Sequence, residues 1–134
     1  MNAKSFLDTN VIVYAFSSND PRRDKAEALL RAGGIISVQV LNEFVNVSRR
    51  KIRREWDEIQ DALGIIKTLL DPPQPITFDT HEAAIGVARK HGFGFYDALI
   101  VAAALRAGCS TLYSEDLQTG QVIERLTIHN PFVD

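Results

Sequence analysis

Short apolar runs alternate with longer amphipathic segments along the whole chain. Residues 5–8 form the first run and predict a short buried strand, and the apolar residues 11–16 continue as a helix. Comparable runs predict further strands at residues 35–38, 76–78, 111–113 and 126–128. Short apolar strands that alternate with helices are typical of a parallel sheet covered on both faces. The pattern therefore predicts an α/β fold.

Polar and turn residues between the runs predict where the helices begin and end. Asp20 and Pro21 suit the N-cap and first turn of a helix that stops at Gly33. The tetrad at 79–82 resembles a capping box that opens a helix ending near Gly92. A further helix is predicted at about 39–50, where apolar residues form an arc on one side. Another is predicted from Trp56 to Leu70, because apolar residues there are spaced by three and four: Trp56, Ile59, Leu63, Ile66 and Leu70. A last helix is predicted at 98–107, which is almost entirely apolar.

The chain is predicted to be one domain, residues 1–134, with three α/β/α layers and a short, mainly parallel sheet. It carries no repeats or linkers, and no apolar run approaches the roughly 20 residues of a membrane helix. The single cysteine, Cys109, excludes an internal disulfide and a Cys-rich zinc site, which fits a reducing cytoplasm. The net charge of −2 permits a nucleic-acid substrate without arguing for one.

Two acidic residues lie at or shortly after the ends of predicted strands. Asp8 ends the first strand and Asp116 follows the strand at 111–113. Sites in open parallel sheets form outside the carboxyl ends of the strands, so both side chains are expected at the same edge. The alternative is that each acid simply caps the next helix, which aspartate does well.

Two more acids occupy unusual positions within helices. Glu43 borders the apolar arc of the helix at 39–50, among neutral amides rather than the Lys and Glu pairs of a solvated face. Asp97 stands at the head of the apolar helix at 98–107 and is expected to be partly buried. A buried charge is costly unless it is paired, caps a helix or binds metal, and a first-turn role for Asp97 is compatible with metal binding.

Four converging acids would need a cation. Two carboxylates about 5 Å apart repel by about 3 kcal/mol at an effective dielectric near 20. An all-oxygen site suits one or two Mg²⁺ or Mn²⁺ ions, and zinc is excluded because no His or Cys lies near these acids in sequence. Such metals in an acidic cleft indicate phosphoryl chemistry. A glycine-rich phosphate loop and a Gly-x-Ser-x-Gly motif are both missing from the sequence, which argues against a nucleoside triphosphatase and a serine hydrolase.

The motifs around these acids resemble those of PIN-domain nucleases, specifically the VapC-like toxins of toxin–antitoxin pairs. The resemblance covers essentially the whole chain and consists of an ordered set of four motifs at residues 7–11, 37–44, 96–100 and 113–117, followed by a similar chain end at 128–132. Any one of these motifs alone would be weak. The fourth departs from the common pattern, with Ser114 where Thr is frequent and Glu115 where Asn or Asp is frequent.

The resemblance implies specific roles for these residues. The metal ligands and catalytic residues would be Asp8, Glu43, Asp97 and Asp116, and the supporting polar residues Asn10, Ser37 and Ser114. Glu115 could add a fifth acid, which leaves open whether Asp116 binds metal directly. The implied activity is that of a Mg²⁺- or Mn²⁺-dependent endoribonuclease acting on tRNA or other structured RNA. The implied partners are a second copy, in a homodimer, and a small antitoxin.

One basic cluster lies just beyond the helix that carries Glu43. Its members are Arg49, Arg50, Lys51, Arg53 and Arg54. The cluster is either an ordinary solvated loop and helix start or a surface that contacts RNA phosphates, which would position the substrate without selecting its sequence.

Two other functions fit part of the pattern. A phosphoacceptor signalling domain is also a small α/β fold with a Mg²⁺-binding acidic pocket, but it needs a pair of acids near the first strand and a late lysine. Here Asp8 is single and no lysine follows Lys90. A catalytically silent PIN-fold binding module is the other alternative, and the presence of all four acids argues against it.

Overall fold

The computed structural model describes residues 4–133. The predicted domain, residues 1–134, thus includes residues 1–3 and 134, which lie outside the described residues. The elements in chain order are β1 (Ser5–Leu7), α1 (Thr9–Ala15), α2 (Arg23–Ala32), α3 (Val38–Arg50), α4 (Trp56–Leu69), α5 (Phe78–His91), α6 (Phe95–Arg106), β2 (Thr111–Tyr113), β3 (Val122–Ile123) and β4 (Leu126–His129).

The strands form one sheet in the order β1-β2-β4-β3. β1 pairs with β2 in parallel, with Phe6 opposite Leu112, and β2 pairs with β4 in parallel, with Leu112 opposite Ile128. β3 pairs with β4 antiparallel at the far side. The predicted α/β class with a mainly parallel sheet is confirmed.

The sheet is covered on both faces where β1 lies. Phe6 and Leu7 are consecutive and therefore point to opposite faces, and both are fully buried. In β4, by contrast, Leu126 and Ile128 are buried while the alternate residues, Thr127 and His129, are exposed. The sheet therefore has two covered faces at β1 and one open face at β4.

Two predicted strands do not form as such. Residues 35–38 contribute only single bridges, from Ile35 to Phe6 and from Ser37 to Gln74. The prediction of a strand at 76–78 is wrong, because Thr77 is the N-cap of α5 and Phe78 is its first residue. The capping box of α5 joins Thr77 to Thr80 and does not start at Asp79.

Two further details differ from the sequence-based expectation. The N-cap of α2 is Arg22, not Asp20, whose side chain instead accepts a 2.9 Å hydrogen bond from the Arg22 backbone N–H in the preceding turn. Trp56 starts α4 as predicted, but it remains 54% exposed and covers no core residue, since the buried face of α4 begins one turn later at Ile59.

The interior around α6 is as apolar as predicted. Residues 98–104 are buried without interruption, so most sides of this helix face other elements. Cys109 is completely buried, and burial raises the pKa of its thiol to about 11. Of the helices within residues 4–133, none has the length and apolar character to cross a membrane.

Candidate active site

Asp8 lies at the junction of three elements. Its backbone N–H continues the sheet by bonding the carbonyl of Tyr113 at 2.9 Å, and its side chain caps α1. Oδ1 accepts from the backbone N–H of Thr9 at 2.7 Å, and Oδ2 accepts from Ser114 Oγ at 2.7 Å. The carboxylate is almost fully buried, with 5% of the residue exposed. Both carboxylate oxygens of Asp8 are therefore fixed by hydrogen bonds within the protein.

The environment of Asp8 opposes its negative charge. Burial raises the pKa of this carboxyl to about 6 from an ordinary value of 3.8, the bonds from Ser114 and Thr9 lower the pKa, and the carboxylates of Asp116 and Glu43 raise it further. Acids whose pKa is shifted this far by burial and neighbouring charges cluster at functional sites.

Glu43 is half-buried on α3 and is held by a residue of α1. Thr9 Oγ1 donates a 2.6 Å hydrogen bond to Glu43 Oε1, and Gln39 Nε2 lies 3.5 Å from Oε2 one helical turn earlier. Thr9 also follows Asp8 directly, so one residue connects the surroundings of two of the predicted acids.

Asp97 occupies the first turn of α6, where Gly94 is the N-cap. Its side chain is exposed but still partly desolvated, because the buried stretch of α6 begins with the next residue, Ala98. Desolvation raises the pKa of Asp97, and the carboxylates of Asp116 and Glu43 raise it as well. Asp97 therefore shares the electrostatic environment of the other acids.

Asp116 lies in the turn after β2, two residues beyond Ser114. Its side chain is exposed, while Ser114 is completely buried. Asp116 is close enough to raise the pKa of both Asp8 and Asp97. Glu43 acts on the same two groups, so Glu43 and Asp116 both disfavour the charged forms of Asp8 and Asp97.

These four acids face one region, but they are not packed together. Within residues 4–133, no three His, Cys, Asp or Glu side chains stand at the spacing of a formed metal site. The arrangement combines two acids held by hydrogen bonds, Asp8 and Glu43, with two exposed ones, Asp97 and Asp116.

Two of the three predicted supporting residues hold the anchored acids in place. Ser114 bonds Asp8 directly and also accepts from the backbone N–H of Leu117 at 3.4 Å. Ser37 is the N-cap of α3, where its buried hydroxyl accepts from the backbone N–H of Val40 at 3.3 Å. Ser37 thus supports the helix that carries Glu43.

The third supporting residue, Asn10, lies in the first turn of α1 and faces the turn after β2. Its Oδ1 is 3.5 Å from the backbone N–H of Glu115, and its Nδ2 is buried without a hydrogen-bond partner. Buried polar groups are normally paired, so this amide is a donor available to a ligand of the site.

The side chain of Glu115 is held by two partners. Arg22 Nη1 donates to both of its oxygens, at 3.0 and 2.8 Å, and the hydroxyl of Tyr14 donates to Oε1 at 2.5 Å. Burial and this bond raise the pKa of Tyr14 to about 12. Arg22 also pairs with Asp20, and the side-chain bond from Arg22 is the main cause that lowers the pKa of Asp20 to about 2.

The basic cluster divides into anchored and exposed members. Arg54 bonds the carbonyl of Phe16 at the end of α1, and Arg49 bonds the carbonyl of Arg54 at 3.0 Å and lies 5.0 Å over the Trp56 ring. The other three members of the cluster, Arg50, Lys51 and Arg53, have exposed side chains that form no ion pair with any described residue.

Comparison with known proteins identifies the family. The family model described as PIN domain matches residues 5–122, most of the chain and all four acidic motifs. The chain belongs to the PIN domain family. A search of curated proteins found no match.

Solved structures share the fold of this PIN domain. One is the Mycobacterium tuberculosis toxin VapC20, described as cleaving the sarcin-ricin loop, with a TM-score of 0.70 and 22% identity over 84% of this chain and 90% of that one. A second is a toxin–antitoxin complex from Klebsiella pneumoniae, with a TM-score of 0.72 and 18% identity over 96% and 98% of the two chains. A third is VapBC2 from Rickettsia felis bound to a DNA fragment of its promoter, with a TM-score of 0.67 and 23% identity over 94% and 97%.

Sequence pattern alone does not reveal the roles of three residues around the site of this PIN domain. Thr9 fits a helix cap in sequence, although in the structure its hydroxyl holds Glu43. Tyr14 and Arg22 hold Glu115 from positions 101 and 93 residues away in sequence, and no local signal indicates that pairing.

Proposed function

We propose that this chain is a metal-dependent endoribonuclease and the toxin of a toxin–antitoxin pair. The observation that carries the proposal is the electrostatic coupling of Asp8 and Asp97 to Glu43 and Asp116 in a PIN domain. The carboxylates of Glu43 and Asp116 disfavour the charged forms of Asp8 and Asp97, and binding of a cation is the simplest way to offset that repulsion.

The donor atoms fit a hard divalent cation. All four are carboxylates, which Mg²⁺ and Mn²⁺ prefer, and the burial of Asp8 strengthens its attraction to an ion. Asp8, Glu43, Asp97 and Asp116 would hold one or two such ions, after Asp97 and Asp116 turn inward from their exposed positions. When bound, the metal would polarise the phosphodiester and supply a water of lowered pKa.

The remaining residues orient this set. Ser114 and the Thr9 backbone N–H fix the two oxygens of Asp8, and the Thr9 hydroxyl fixes one oxygen of Glu43. The unpaired Asn10 amide would donate a hydrogen bond to a substrate phosphate or to a water in the cleft. We further propose that Arg50, Lys51 and Arg53 contact RNA phosphates, whereas Arg49 and Arg54 mainly stabilise the fold.

The partners follow from the same proposal. One of the similar structures is described as a toxin–antitoxin complex and another as a toxin, so a small antitoxin is the expected protein partner of this chain. The expected substrate is tRNA or another structured RNA, the expected assembly is a homodimer, and the expected location is the cytoplasm.

The test compares RNA cleavage by the purified protein and by single variants. Wild type is expected to cleave total RNA with Mg²⁺ or Mn²⁺ and to stop when EDTA is added. Asp8→Asn and Asp97→Asn should remove cleavage while leaving the fold intact. The matched control is Asp79→Asn, because Asp79 is also an exposed aspartate in the first turn of a helix.

Each alternative has its own outcome in this experiment. Full ribonuclease activity of Asp97→Asn would refute the assignment of the site. RNA binding without cleavage by wild type at any metal concentration would instead identify a binding module.

A further inference from the structure

Arg22 makes the most extensive set of side-chain contacts beside the candidate site. Its guanidinium donates from Nε and Nη2 to the two oxygens of Asp20, at 2.8 and 2.7 Å, and from Nη1 to both oxygens of Glu115. Asp20 precedes α2 and Glu115 follows β2, so Arg22 joins the start of α2 to the turn that carries Asp116.

Tyr14 completes this arrangement from a third element. The Arg22 guanidinium lies 3.8 Å from the centre of the Tyr14 ring, whose hydroxyl bonds Glu115. The ring also packs edge-on against Phe132 with a centroid distance of 5.3 Å. Glu115 is therefore held by a cation, a hydroxyl and the aromatic ring that supports both.

The pairing of Arg22 with Glu115 matters because Glu115 lies between two residues of the candidate site. Glu115 lies between Ser114, which bonds Asp8, and Asp116, which acts on Asp8 and Asp97. In the turn at 114–116, the Glu115 side chain is held by Arg22 and Tyr14, and the Glu115 backbone N–H faces Asn10. We expect the direction of the adjacent Asp116 side chain to depend on these contacts.

We infer that Arg22 is a positioning residue that limits the proposed metal site to four acids. By pairing with Glu115 it keeps a fifth carboxylate out of the ligand set and holds the turn at 114–116 in place. The inference rests on the proposed function, because it concerns the ligands of the proposed metal.

Loss of Arg22 should move metal binding and catalysis in opposite directions. In Arg22→Gln, Glu115 loses its cation and adds an uncompensated negative charge beside the acids, so we expect Mn²⁺ to bind about threefold more tightly. The freed carboxylate would compete for the ion and Asp116 would lose its fixed direction, so kcat should fall about tenfold with little change in KM. A variant that merely unfolds would instead lose both Mn²⁺ affinity and cleavage activity.

A second substitution distinguishes positioning from simple structural support. Glu115→Gln keeps an oxygen that can accept from Tyr14 and Arg22 and should change kcat by less than about threefold. The double variant Arg22→Gln/Glu115→Gln should regain part of the activity, because the competing carboxylate is gone while the turn at 114–116 still lacks its pairing with Arg22. Tyr14→Phe keeps the ring but loses the hydroxyl. It should raise the Mn²⁺ affinity and lower kcat, as Arg22→Gln does, but by smaller factors.

The measurements are Mn²⁺ titration by calorimetry without RNA, steady-state cleavage with saturating Mn²⁺, and thermal unfolding of every variant. Arg31→Gln is the matched control, because Arg31 lies in the last turn of α2, whose N-cap is Arg22, and pairs with a glutamate, Glu27, on the exposed surface. It should leave Mn²⁺ affinity and kcat unchanged.

The outcomes separate this inference from the proposed function. If wild type binds Mn²⁺ and cleaves RNA but Arg22→Gln behaves identically, the positioning role is wrong and the proposed function stands. A double variant as inactive as Arg22→Gln would also overturn the inference. If wild type neither binds Mn²⁺ nor cleaves RNA, the proposed function itself fails.

Discussion

Thr9 Oγ1 donates a 2.6 Å hydrogen bond to Glu43 Oε1 and thereby joins the first residue of α1 to the second turn of α3. The residue that follows one acid in sequence thus fixes another that lies 34 positions farther along the chain. We expect Thr9→Val to lower the free energy of unfolding by about 1.5 kcal/mol, since hydrogen bonds to charged groups contribute that much. It should also reduce cleavage, because Glu43 loses its fixed orientation.

Urea unfolding and RNA cleavage test this expectation. The control is Thr68→Val, which removes an exposed threonine hydroxyl that bonds only a backbone carbonyl of its own helix. Equal effects of the two substitutions on cleavage would contradict the role of Thr9.

The raised pKa of Asp8 predicts how the stability of the metal-free protein depends on pH. The folded protein binds this proton more tightly than the unfolded chain, because the pKa is about 6 when folded and near 3.8 when unfolded. The contribution of Asp8 to stability should therefore decrease as pH rises from about 4 to about 6, by about 3 kcal/mol in total. Asp8→Asn should lack this decrease.

The comparison of wild type with Asp8→Asn by urea unfolding, in EDTA at pH 4 and pH 7, isolates this effect. Addition of Mg²⁺ at pH 7 should stabilise wild type more than the variant, since the ion would bind the ionised carboxylate. A wild-type protein whose stability relative to Asp8→Asn is independent of pH would contradict the prediction.

Removal of the Ser114 hydroxyl should affect both stability and the titration of Asp8. The bond from Ser114 lowers the pKa of Asp8, so Ser114→Ala should raise it further and extend the pH range of the stability loss upward. The backbone N–H of Leu117 would lose its acceptor as well. We expect a loss of about 2 kcal/mol at neutral pH, measured by urea unfolding.

Ser110→Ala is the control for this substitution, because the Ser110 hydroxyl bonds only the carbonyl of Lys4 at 3.4 Å. The same pH profile in both variants would show that Ser114 has no particular influence on Asp8.

The basic cluster should respond to substitution in two different ways. Arg50→Gln/Lys51→Gln should weaken RNA binding and reduce the slope of log K against log salt concentration by about 0.7 for each phosphate that is no longer bound, with little change in stability. Arg54→Gln should instead lower the free energy of unfolding by about 1 kcal/mol or more, because Arg54 bonds the end of α1.

Arg89→Gln/Lys90→Gln is the matched control, since these two residues are also adjacent, exposed and in the last turn of a helix. Filter binding at several salt concentrations provides the slopes. Identical slopes for both double variants would exclude a specific phosphate interaction at the end of α3.

The sequence predicted the parts of this structure that depend on local pattern and on the direction of strands. Asp8 and Asp116 follow β1 and β2, and the parallel pairing of those strands brings the two residues to one edge. The starts of α2 and α5 were less predictable, because several polar residues compete to cap each helix. Thr77 takes the cap of α5, although residues 76–78 have strand-forming side chains.

The partners of Glu115 could not be predicted for a different reason. Arg22 and Tyr14 are not close to Glu115 in sequence, and an exposed arginine near a helix start fits many roles. Only the packing of α1 and α2 beside the turn after β2 selects them. The sequence consequently left open whether Glu115 joins the acids, and its bonding partners direct it elsewhere.

The hydrogen bond between Ser114 and Asp8 spans 106 positions of the chain, and the strand that pairs with β1 in parallel, β2, begins at Thr111. During translation, at roughly 5–20 residues per second, a ribosome must therefore complete most of the message before this acidic centre can assemble. A polypeptide interrupted before that point would lack both the sheet pairing and the hydroxyl that anchors its first aspartate.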